Sequence, residues 1–383
     1  MKYCKKCLQP DTRPGIVFDD KGVCAACNYQ EQVYHSINWE TRQKELHDIV
    51  EWAKSKNAPY DCVIGVSGGK DSTFQAIYAK EKLGLRVLLV NCEPDEITEI
   101  GRINIENLIQ KGFDCIKIRT NPIICRYLAR KSFFEYGNII KPSEYPLWVS
   151  AYRIALNFNI PLIIQGENAA LTLGVSQNQS TGGNAFNVTE LNTLAGCTAE
   201  EWIDENVTMK DLFFYRFPDK KLFENKEIKA IWLQYYVKEW SQVYNADFAI
   251  ARGLIGRSTE KLEDIGRYRR YTALDSDIQI VNQMLKYLKL GFGFATDEAC
   301  YDIREGRLTR EDAKWLVKQY DGKCADHYVD KACKYLGITI EEFWNHVDKL
   351  VNKKLFFKNS NGKWIPKFVV GEDFDEGKDQ DVH

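Results

Sequence analysis

The sequence predicts an α/β protein with a parallel sheet, a cysteine-rich N-terminal domain and a mainly helical C-terminal region. Short apolar runs alternate with helical patterns from Tyr60 to Ile164, which is typical of buried parallel strands joined by helical crossovers. Two C-x-x-C pairs lie before residue 36, and helical periodicity dominates after Asp277. These observations divide the chain into residues 1–38, 39–275 and 276–383.

The composition excludes several classes of protein. With 383 residues, the chain is long enough for two or three domains. A net charge of −2 gives no overall attraction for nucleic acid or an anionic membrane. No stretch is apolar enough to span a bilayer, and the N-terminus lacks the apolar region of a signal peptide. Twelve cysteines without an export signal favour a reducing compartment, so we expect a cytoplasmic protein.

The N-terminal cysteines are arranged as Cys4-x-x-Cys7 and Cys24-x-x-Cys27. This pattern is typical of a zinc ribbon, in which four thiolates bind one Zn²⁺ and a hairpin, here turned by residues 19–22, closes the site. Four protein ligands leave no open coordination position, so we expect a structural role for the metal. A domain with so few large apolar side chains needs such support to fold. The other cysteines are interpreted as packing residues. Cys324, His327 and Cys333 could suggest a second metal site, but a fourth ligand is missing.

Strands and helices can be placed approximately from periodicity. We expect strands at 60–66, 86–91, 114–118 and 161–164, and helices at 39–54, 71–82, 97–110 and 122–136. After an insertion near 175–250, helices are expected at 279–288, 309–319, 330–336 and 340–351. Within the insertion, the polar residues 176–184 predict a mobile loop. The acidic tail after Val370 is expected to be disordered.

A glycine-containing loop joins the first predicted strand to the helix that follows. Two glycines allow consecutive N–H groups to approach an anion, and the helix N-terminus adds its positive dipole end. Hydroxyl groups and one lysine complete a site suited to an oligophosphate. The spacing differs from that of a Walker A motif. The loop residues are Ser67, Gly68, Gly69, Lys70, Asp71 and Ser72.

This loop resembles, at every fixed position, the S-G-G-x-D-S signature of the ATP pyrophosphatase superfamily, whose fold is adenine nucleotide alpha hydrolase-like. The resemblance implies that the loop binds the β and γ phosphates of ATP and that pyrophosphate leaves after adenylation of an oxygen. It also implies an adenine site near Asn91 and a Mg²⁺ contact at Asp71. Gly166 and Glu167 follow the fourth strand beside the same crevice, where ligands of parallel sheets bind. Glu167 is therefore a candidate for a metal or ATP contact, with a solvated loop carboxylate as the alternative.

Further motifs resemble one family, the N-acetyl sugar amidotransferases of bacterial surface polysaccharide and nonulosonic acid biosynthesis. Besides the cysteine pairs and the loop, they comprise residues 165–168, 251–253, 292–297 and 303–310. The resemblance implies that ATP adenylates a sugar acetamido oxygen and that ammonia displaces AMP, giving an acetamidino group. Such an enzyme is a carbon–nitrogen ligase, with Lys70, Asp71 and Glu167 as its candidate catalytic residues.

Ammonia and the sugar both imply partners. The chain has no N-terminal cysteine nucleophile of the kind that some glutaminases use, because its first cysteine, Cys4, is assigned to the ribbon. Cys197 lacks the glycine-flanked elbow of a class I glutaminase. We therefore expect a separate glutaminase; in the family the partners resemble the glutaminase and synthase subunits of histidine biosynthesis. The sugar, either nucleotide-activated or a nonulosonic acid, is anionic. Arg252, Arg257 and Arg304 are its candidate ligands, with solvated helix faces paired to acidic neighbours as the alternative.

The main alternative is a tRNA-modifying ATP pyrophosphatase that thiolates or amidates its substrate, because a zinc ribbon also precedes the loop in such enzymes. The isolated C-terminal cysteines and the slightly negative net charge weigh against it. A non-enzymatic role for the ribbon alone fits poorly, since the loop keeps every polar and glycine position that its chemistry needs.

Overall fold

A computed structural model describes residues 1–175, 181–188, 197–258 and 261–375. Its central sheet has five strands in the order β3-β2-β1-β4-β5, and every neighbouring pair is parallel. The expected parallel α/β architecture is therefore confirmed. Most of the loop predicted at 176–184, and the end of the acidic tail, lie outside the described residues. The strands are β1 (Cys62–Gly65), β2 (Val87–Cys92), β3 (Asp114–Ile118), β4 (Leu162–Gln165) and β5 (Lys229–Trp232).

Helices cover both faces of this sheet. On one face, Cys62 and Ile64 of β1 pack with α2, α3 and α4, and on the other Val63 packs with α6. Both faces are buried, which explains the continuous apolar runs of the strands. The helices up to β5 are α1 (Ala25–His35), α2 (Trp39–Ser55), α3 (Lys70–Glu81), α4 (Glu99–Ile109), α5 (Pro122–Tyr136), α6 (Lys141–Phe158), α7 (Ala169–Thr172) and α8 (Lys220–Asn225).

Helix α6 and strand β5 belong to this layer but were not predicted from the sequence. Helix α6 is buried around most of its circumference, with Tyr145, Val149 and Tyr152 nearly inaccessible, so it lacks the polar face that periodicity detects. Strand β5 lies in the segment interpreted as an insertion, yet it extends the sheet by pairing with β4. The segment after the fourth predicted strand thus contributes to the core.

The C-terminal region is mainly helical, as expected, and has its own hydrophobic core. Phe133 of α5 enters this core and stacks on Phe343 with ring centroids 5.1 Å apart, so the region is packed against the sheet layer. Among the described residues, no helix is both long enough and apolar enough for a bilayer crossing. The remaining elements are α9 (Gln242–Ile250), α10 (Ile278–Leu290), α11 (Phe294–Arg304), α12 (Arg310–Tyr320), α13 (Asp326–Leu336), α14 (Ile340–Leu350), β6 (Phe356–Lys358) and β7 (Trp364–Pro366).

The N-terminal segment packs on the C-terminal helices. Its predicted hairpin is present, since the Asp19 N–H donates to the Val23 carbonyl and Phe18 pairs with Cys24. Its four paired cysteines share a hydrophobic cluster with Ala299 and Cys300 of α11 and with residues of α12. Helix α11 therefore carries the ribbon on one side. Helix α1 of the ribbon also contacts α7, which follows the carboxyl end of β4.

Candidate active site and metal centre

The predicted strand–loop–helix arrangement is present around Ser67. The loop leaves β1 after Gly65, and α3 begins at Lys70. Gly68 has φ of +86°, and a Cβ atom at this position would lie 2.6 Å from the Gly101 carbonyl oxygen. Only glycine meets both conditions, so the loop backbone can lie directly against α4. The Ser72 hydroxyl donates to the Gly69 carbonyl over 3.2 Å, which closes the turn at the start of α3.

Lys70 and Asp71 form an ion pair at the start of α3. The Lys70 Nζ lies 2.7 Å from Asp71 Oδ2, and Lys70 is largely buried. The other carboxylate oxygen, Oδ1, accepts a hydrogen bond of 2.9 Å from Asn245 Nδ2. Asn245 is fully buried on α9, and its own Oδ1 has no hydrogen-bond partner among the described residues. Asn245 thus fixes the orientation of Asp71, a role that the sequence analysis missed.

Glu167 lies beside this pair, as expected from its position after β4. Burial raises the pKa of its carboxyl to about 7; the negative charges of Asp71 and Asp297 add to the rise, while Lys70 opposes it. The Oε2 atom of Glu167 is buried, with no hydrogen-bond partner in the described part of the chain. The carboxyl therefore differs from the solvated loop carboxylate that was the alternative.

The backbone on each side of Glu167 is held by one residue. The Gln234 N–H donates to the Gly166 carbonyl over 3.1 Å. The Gln234 Oε1 accepts from the Asn168 N–H over 2.9 Å. A Cβ atom added at Gly166 would lie 2.3 Å from Gln75 Nε2, so this backbone also touches α3. These contacts hold Glu167 at the carboxyl end of β4, next to the loop of residues 67–72, here called the phosphate loop.

This site suits Mg²⁺ together with an oligophosphate. Magnesium in nucleotide sites is usually bound through one or two carboxylates and the substrate phosphates. Asp71 and Glu167 supply two carboxylates close enough for their charges to interact, and Glu167 Oε2 has no other partner among the described residues. The donor set therefore fits the magnesium ion that the loop motif implies.

A cavity of about 140 Å³ adjoins the loop on the side of β2 and β3. Asp275 lies in its wall near Ser67; burial raises the pKa of the Asp275 carboxyl although Ser67 opposes the rise. Asn91, a predicted ATP contact, is buried and donates from Nδ2 to the Val66 carbonyl over 2.8 Å, so its side chain joins the ends of β1 and β2. Other cavity residues are Cys92, Thr120, Cys125, Ile139, Tyr215 and Tyr335.

The three arginines predicted to bind the sugar are not brought together. Arg252 pairs with Glu81 at the far end of α3 from the loop, over 3.1 Å. Arg257 is buried and pairs with Asp277 over 2.7 Å. Arg304 donates to the Thr172 carbonyl over 2.9 Å, on the side of β4. Their role toward a sugar stays a prediction.

Helix α11 contributes an acidic residue, Asp297, that belongs to the motif at 292–297 but was not predicted as a site residue. Asp297 is buried and forms ion pairs with Arg13 of the ribbon and Lys286 of α10. Burial alone would raise the pKa of Asp297, but the two cations hold it below its ordinary value. The charged carboxylate of Asp297 in turn raises the pKa of Glu167, so α11 contributes to the electrostatics of the site.

The four ribbon cysteines form a closed cluster. Their sulfur atoms all lie within 4.8 Å of one another, and every one of these residues is buried. The Cys4–Cys27 and Cys7–Cys24 sulfur distances are 3.9 and 3.7 Å. Tetrahedral zinc with Zn–S bonds of about 2.3 Å requires sulfur separations of about 3.8 Å. The cluster therefore fits Zn²⁺, and no second group of this kind occurs within the described ranges.

Residues 265–369 match the family model described as the C-terminal domain of WbpG-like LPS biosynthesis proteins. The matched stretch includes α10 to α14, and therefore Asp297 and Arg304. The match covers about a quarter of the chain and supports, for this region, the resemblance to surface-polysaccharide biosynthesis proteins that the sequence motifs indicated.

Other similarities are more distant. The sequence is 31% identical to the uncharacterized protein MJ1599 of Methanocaldococcus jannaschii over 88 residues, which are 23% of this chain and 31% of that protein. The structure resembles an NMN synthetase from Francisella tularensis with 14% identity and a TM-score of 0.32, covering 80% of this chain and 98% of that one. It also resembles an NAD⁺ synthetase from Burkholderia pseudomallei with 13% identity and a TM-score of 0.29, covering 60% of this chain and 94% of that one. These TM-scores are low, so neither structural resemblance enters the functional argument.

Proposed function

We propose that this chain is an ATP-dependent amidotransferase acting on a sugar acetamide. The match of residues 265–369 to the C-terminal domain of WbpG-like LPS biosynthesis proteins supports the sugar as substrate. The single observation that carries the proposal is the meeting of the Lys70–Asp71 pair with Glu167 beside the phosphate loop. ATP would bind with its β and γ phosphates at the loop and its adenosine in the cavity that Asp275 lines. Ser67, Gly68, Gly69, Ser72 and Gly166 would complete the ATP contacts.

The chemistry follows from the weakness of an amide as an electrophile. The acetamido oxygen attacks the α-phosphorus of ATP, and pyrophosphate leaves. Ammonia then forms a C–N bond to the carbon that bears the adenylated oxygen, and the C–O bond to AMP breaks, so AMP carries away the former amide oxygen. The product is an amidinium ion. Positioning and electrostatics provide most of the rate enhancement in such a reaction, and no covalent enzyme intermediate is needed.

Each residue of the site has a separate task. The Lys70 ammonium balances negative charge on the leaving pyrophosphate, and the loop N–H groups bind its oxygens. Asp71 and Glu167 would hold Mg²⁺, which when bound neutralises phosphate charge. Asn245 keeps the Asp71 carboxylate aimed at that position through its 2.9 Å hydrogen bond. The carboxylate of Glu167 also favours a cationic amidinium product.

Ammonia would come from a separate glutaminase, with a synthase-like subunit as a further partner. The test compares the purified chain with glutamine alone and with ammonium, each with ATP and a diacetamido sugar. We expect turnover with ammonium only. Appreciable turnover with glutamine alone would show that the chain carries its own glutaminase activity and would remove the need for a partner.

The function itself is tested by measuring AMP and pyrophosphate release with ammonium and a panel of activated diacetamido sugars. Wild-type chain should release both products with at least one sugar, and Asp71→Asn should reduce the rate by about 100-fold or more. Absence of AMP with every sugar would count against the proposal. Tight RNA binding with steep salt dependence would instead favour a tRNA-modifying enzyme.

A further inference from the structure

A second, smaller cavity lies on the other side of β1 from the one that Asp275 lines. Its volume is about 20 Å³, and among the described residues none lines both cavities. The sheet order places β4 and β5 on one side of β1, and β2 and β3 on the other. The two cavities therefore approach the phosphate loop from opposite sides. We name the smaller one the Trp240 cleft; its walls include Tyr29, Gln30, Thr172, Gln234, Trp240 and Tyr301.

The inner wall of the Trp240 cleft borders Glu167. Gln234 forms hydrogen bonds to the residues immediately before and after Glu167. The Trp240 ring packs against Gly166, where an added Cβ atom would lie 3.4 Å from Trp240 Cη2. The Tyr301 side chain is close enough to Glu167 for the carboxylate charge to raise the pKa of the Tyr301 phenol, which burial raises first. A molecule in this cleft would therefore approach the site on the Glu167 side.

The size and chemistry of the cleft suit one small nitrogen compound. A cavity needs about 10–15 Å³ to hold one water molecule, so about 20 Å³ accommodates ammonia but excludes a nucleotide or sugar. The glutamine carboxamides and the tyrosine hydroxyls of the lining can accept hydrogen bonds from N–H groups. The aromatic rings of Tyr29, Trp240 and Tyr301 can attract an ammonium cation.

Two charged residues also line the cleft, and both have partners. Arg304 donates to the Thr172 carbonyl. Glu305 forms an ion pair with Arg307. The Glu305 charge is therefore balanced, whereas Arg304 keeps its positive charge because a carbonyl is neutral. This charge favours passage of neutral ammonia over ammonium. The helix α1, which carries Tyr29 and Gln30, belongs to the zinc ribbon, so the ribbon forms part of the outer wall.

We propose that the Trp240 cleft is the port through which ammonia reaches the activated acetamide, with the zinc ribbon forming one wall of that port. This inference rests on the proposed function, because it needs an adenylated acetamide as the acceptor. The nitrogen lone pair forms the new C–N bond, and AMP leaves with the pair of electrons from the broken C–O bond. The proton that ammonium loses to become ammonia passes to solvent at the mouth of the cleft. A second proton leaves the attacking nitrogen after the C–N bond forms, and the departing AMP phosphate accepts it.

The test fills the mouth of the cleft without removing a side-chain hydrogen bond between described residues. Gln30→Trp places a larger side chain in the mouth, and Gln32→Trp is its matched control, since Gln32 lies exposed on the same helix and lines neither cavity. With a UDP-linked diacetamido sugar, ATP and ammonium, Gln30→Trp should raise the KM for ammonium about tenfold or more. Its ATP–pyrophosphate exchange rate without ammonium should stay within about twofold of wild type, as should both properties of Gln32→Trp.

A second variant widens the cleft and keeps the inference testable if Gln30→Trp folds poorly. Gln30→Ala should increase turnover with methylamine relative to ammonium. An unchanged KM for ammonium in Gln30→Trp, together with an unchanged methylamine ratio in Gln30→Ala, would overturn the port. Absence of ATP–pyrophosphate exchange in the wild-type chain would instead contradict the proposed function, and with it the inference that the cleft admits ammonia.

Discussion

Asn245 donates a hydrogen bond of 2.9 Å from Nδ2 to Oδ1 of Asp71, across 174 positions of sequence. The bond joins α9, in the segment interpreted as an insertion, to the phosphate loop. Asp71 also pairs with Lys70, so both of its carboxylate oxygens are oriented by side chains. A carboxylate held in this way is preorganised to bind a metal ion and its phosphate ligands.

Loss of this hydrogen bond should slow adenylation. We expect Asn245→Ala to reduce the ATP–pyrophosphate exchange rate by about 10- to 100-fold, the usual cost of removing a partner that orients a metal ligand. Ile250→Ala is the matched control, because Ile250 is exposed on the same helix and should leave exchange unchanged. Equal exchange rates in Asn245→Ala and wild type would show that Asp71 needs no such support.

The backbone of the loop gives a second prediction, with a glycine pair as internal control. Gly68 and Gly253 both have positive φ, but a Cβ atom would collide at Gly68, 2.6 Å from the Gly101 oxygen; at Gly253 no atom of the described residues would lie within 4 Å of it. Each alanine should cost about 1–2 kcal/mol of unfolding free energy through backbone strain. In Gly68→Ala the collision should add a further loss of unfolding free energy, and it should also abolish ATP–pyrophosphate exchange. Gly253→Ala should retain that exchange. Urea unfolding and exchange assays check both; matching losses in the two variants would contradict the collision.

The pH dependence of stability should report on Glu167 in the nucleotide-free chain. The folded pKa of Glu167 is about 7, against an ordinary value of 4.5, so the folded chain holds this proton more tightly than the unfolded chain does. Its contribution to stability is fully present below the unfolded pKa and is lost as pH rises toward about 7. Glu167→Gln carries no such proton, so its unfolding free energy should fall less between about pH 4.5 and pH 7.5.

Urea unfolding across this pH range measures the difference between Glu167→Gln and wild type. Glu298, whose pKa burial also raises to about 7, is present in both proteins, so subtraction removes its effect. Parallel curves for the two proteins would mean that Glu167 titrates as an ordinary carboxyl.

The ribbon cluster predicts a zinc stoichiometry of about one per chain. Cys7→Ser should lower the zinc content and the thermal unfolding temperature, because the ribbon shares a hydrophobic cluster with α11 and α12. Cys115→Ser is the control, since Cys115 lies on β3 away from the cluster and should keep its zinc. Elemental analysis and thermal unfolding give the readouts; a zinc-free wild-type chain of unchanged stability would argue against a structural metal.

The sheet could be predicted because strands buried on both faces leave continuous apolar runs, as in β1 and β2. The same burial concealed α6, whose nearly complete enclosure removes any polar stripe. Glu167 could be placed beside the loop because parallel strands present their carboxyl ends at one edge. For the sheet and for Glu167, the local sequence therefore contained enough information for the prediction.

The rest of the site depends on long-range contacts that periodicity does not encode. Asn245 reaches Asp71 only after α9 packs against α3. Asp297 is kept charged in its buried position by cations on two other segments, Arg13 and Lys286. Likewise, the arginines predicted from local density are tied to distant partners, such as Glu81 for Arg252, and density alone could not reveal those partners.

The central claim is that the loop and Glu167 support cleavage of ATP between its α and β phosphates, with AMP as the leaving group from an acetamide. The most direct measurement follows all nucleotide products from ATP, ammonium and an activated diacetamido sugar. We predict AMP and pyrophosphate in equal amounts, no ADP, and loss of both products in Asp71→Asn. Formation of ADP and phosphate, or AMP release that Asp71→Asn leaves unchanged, would contradict the account.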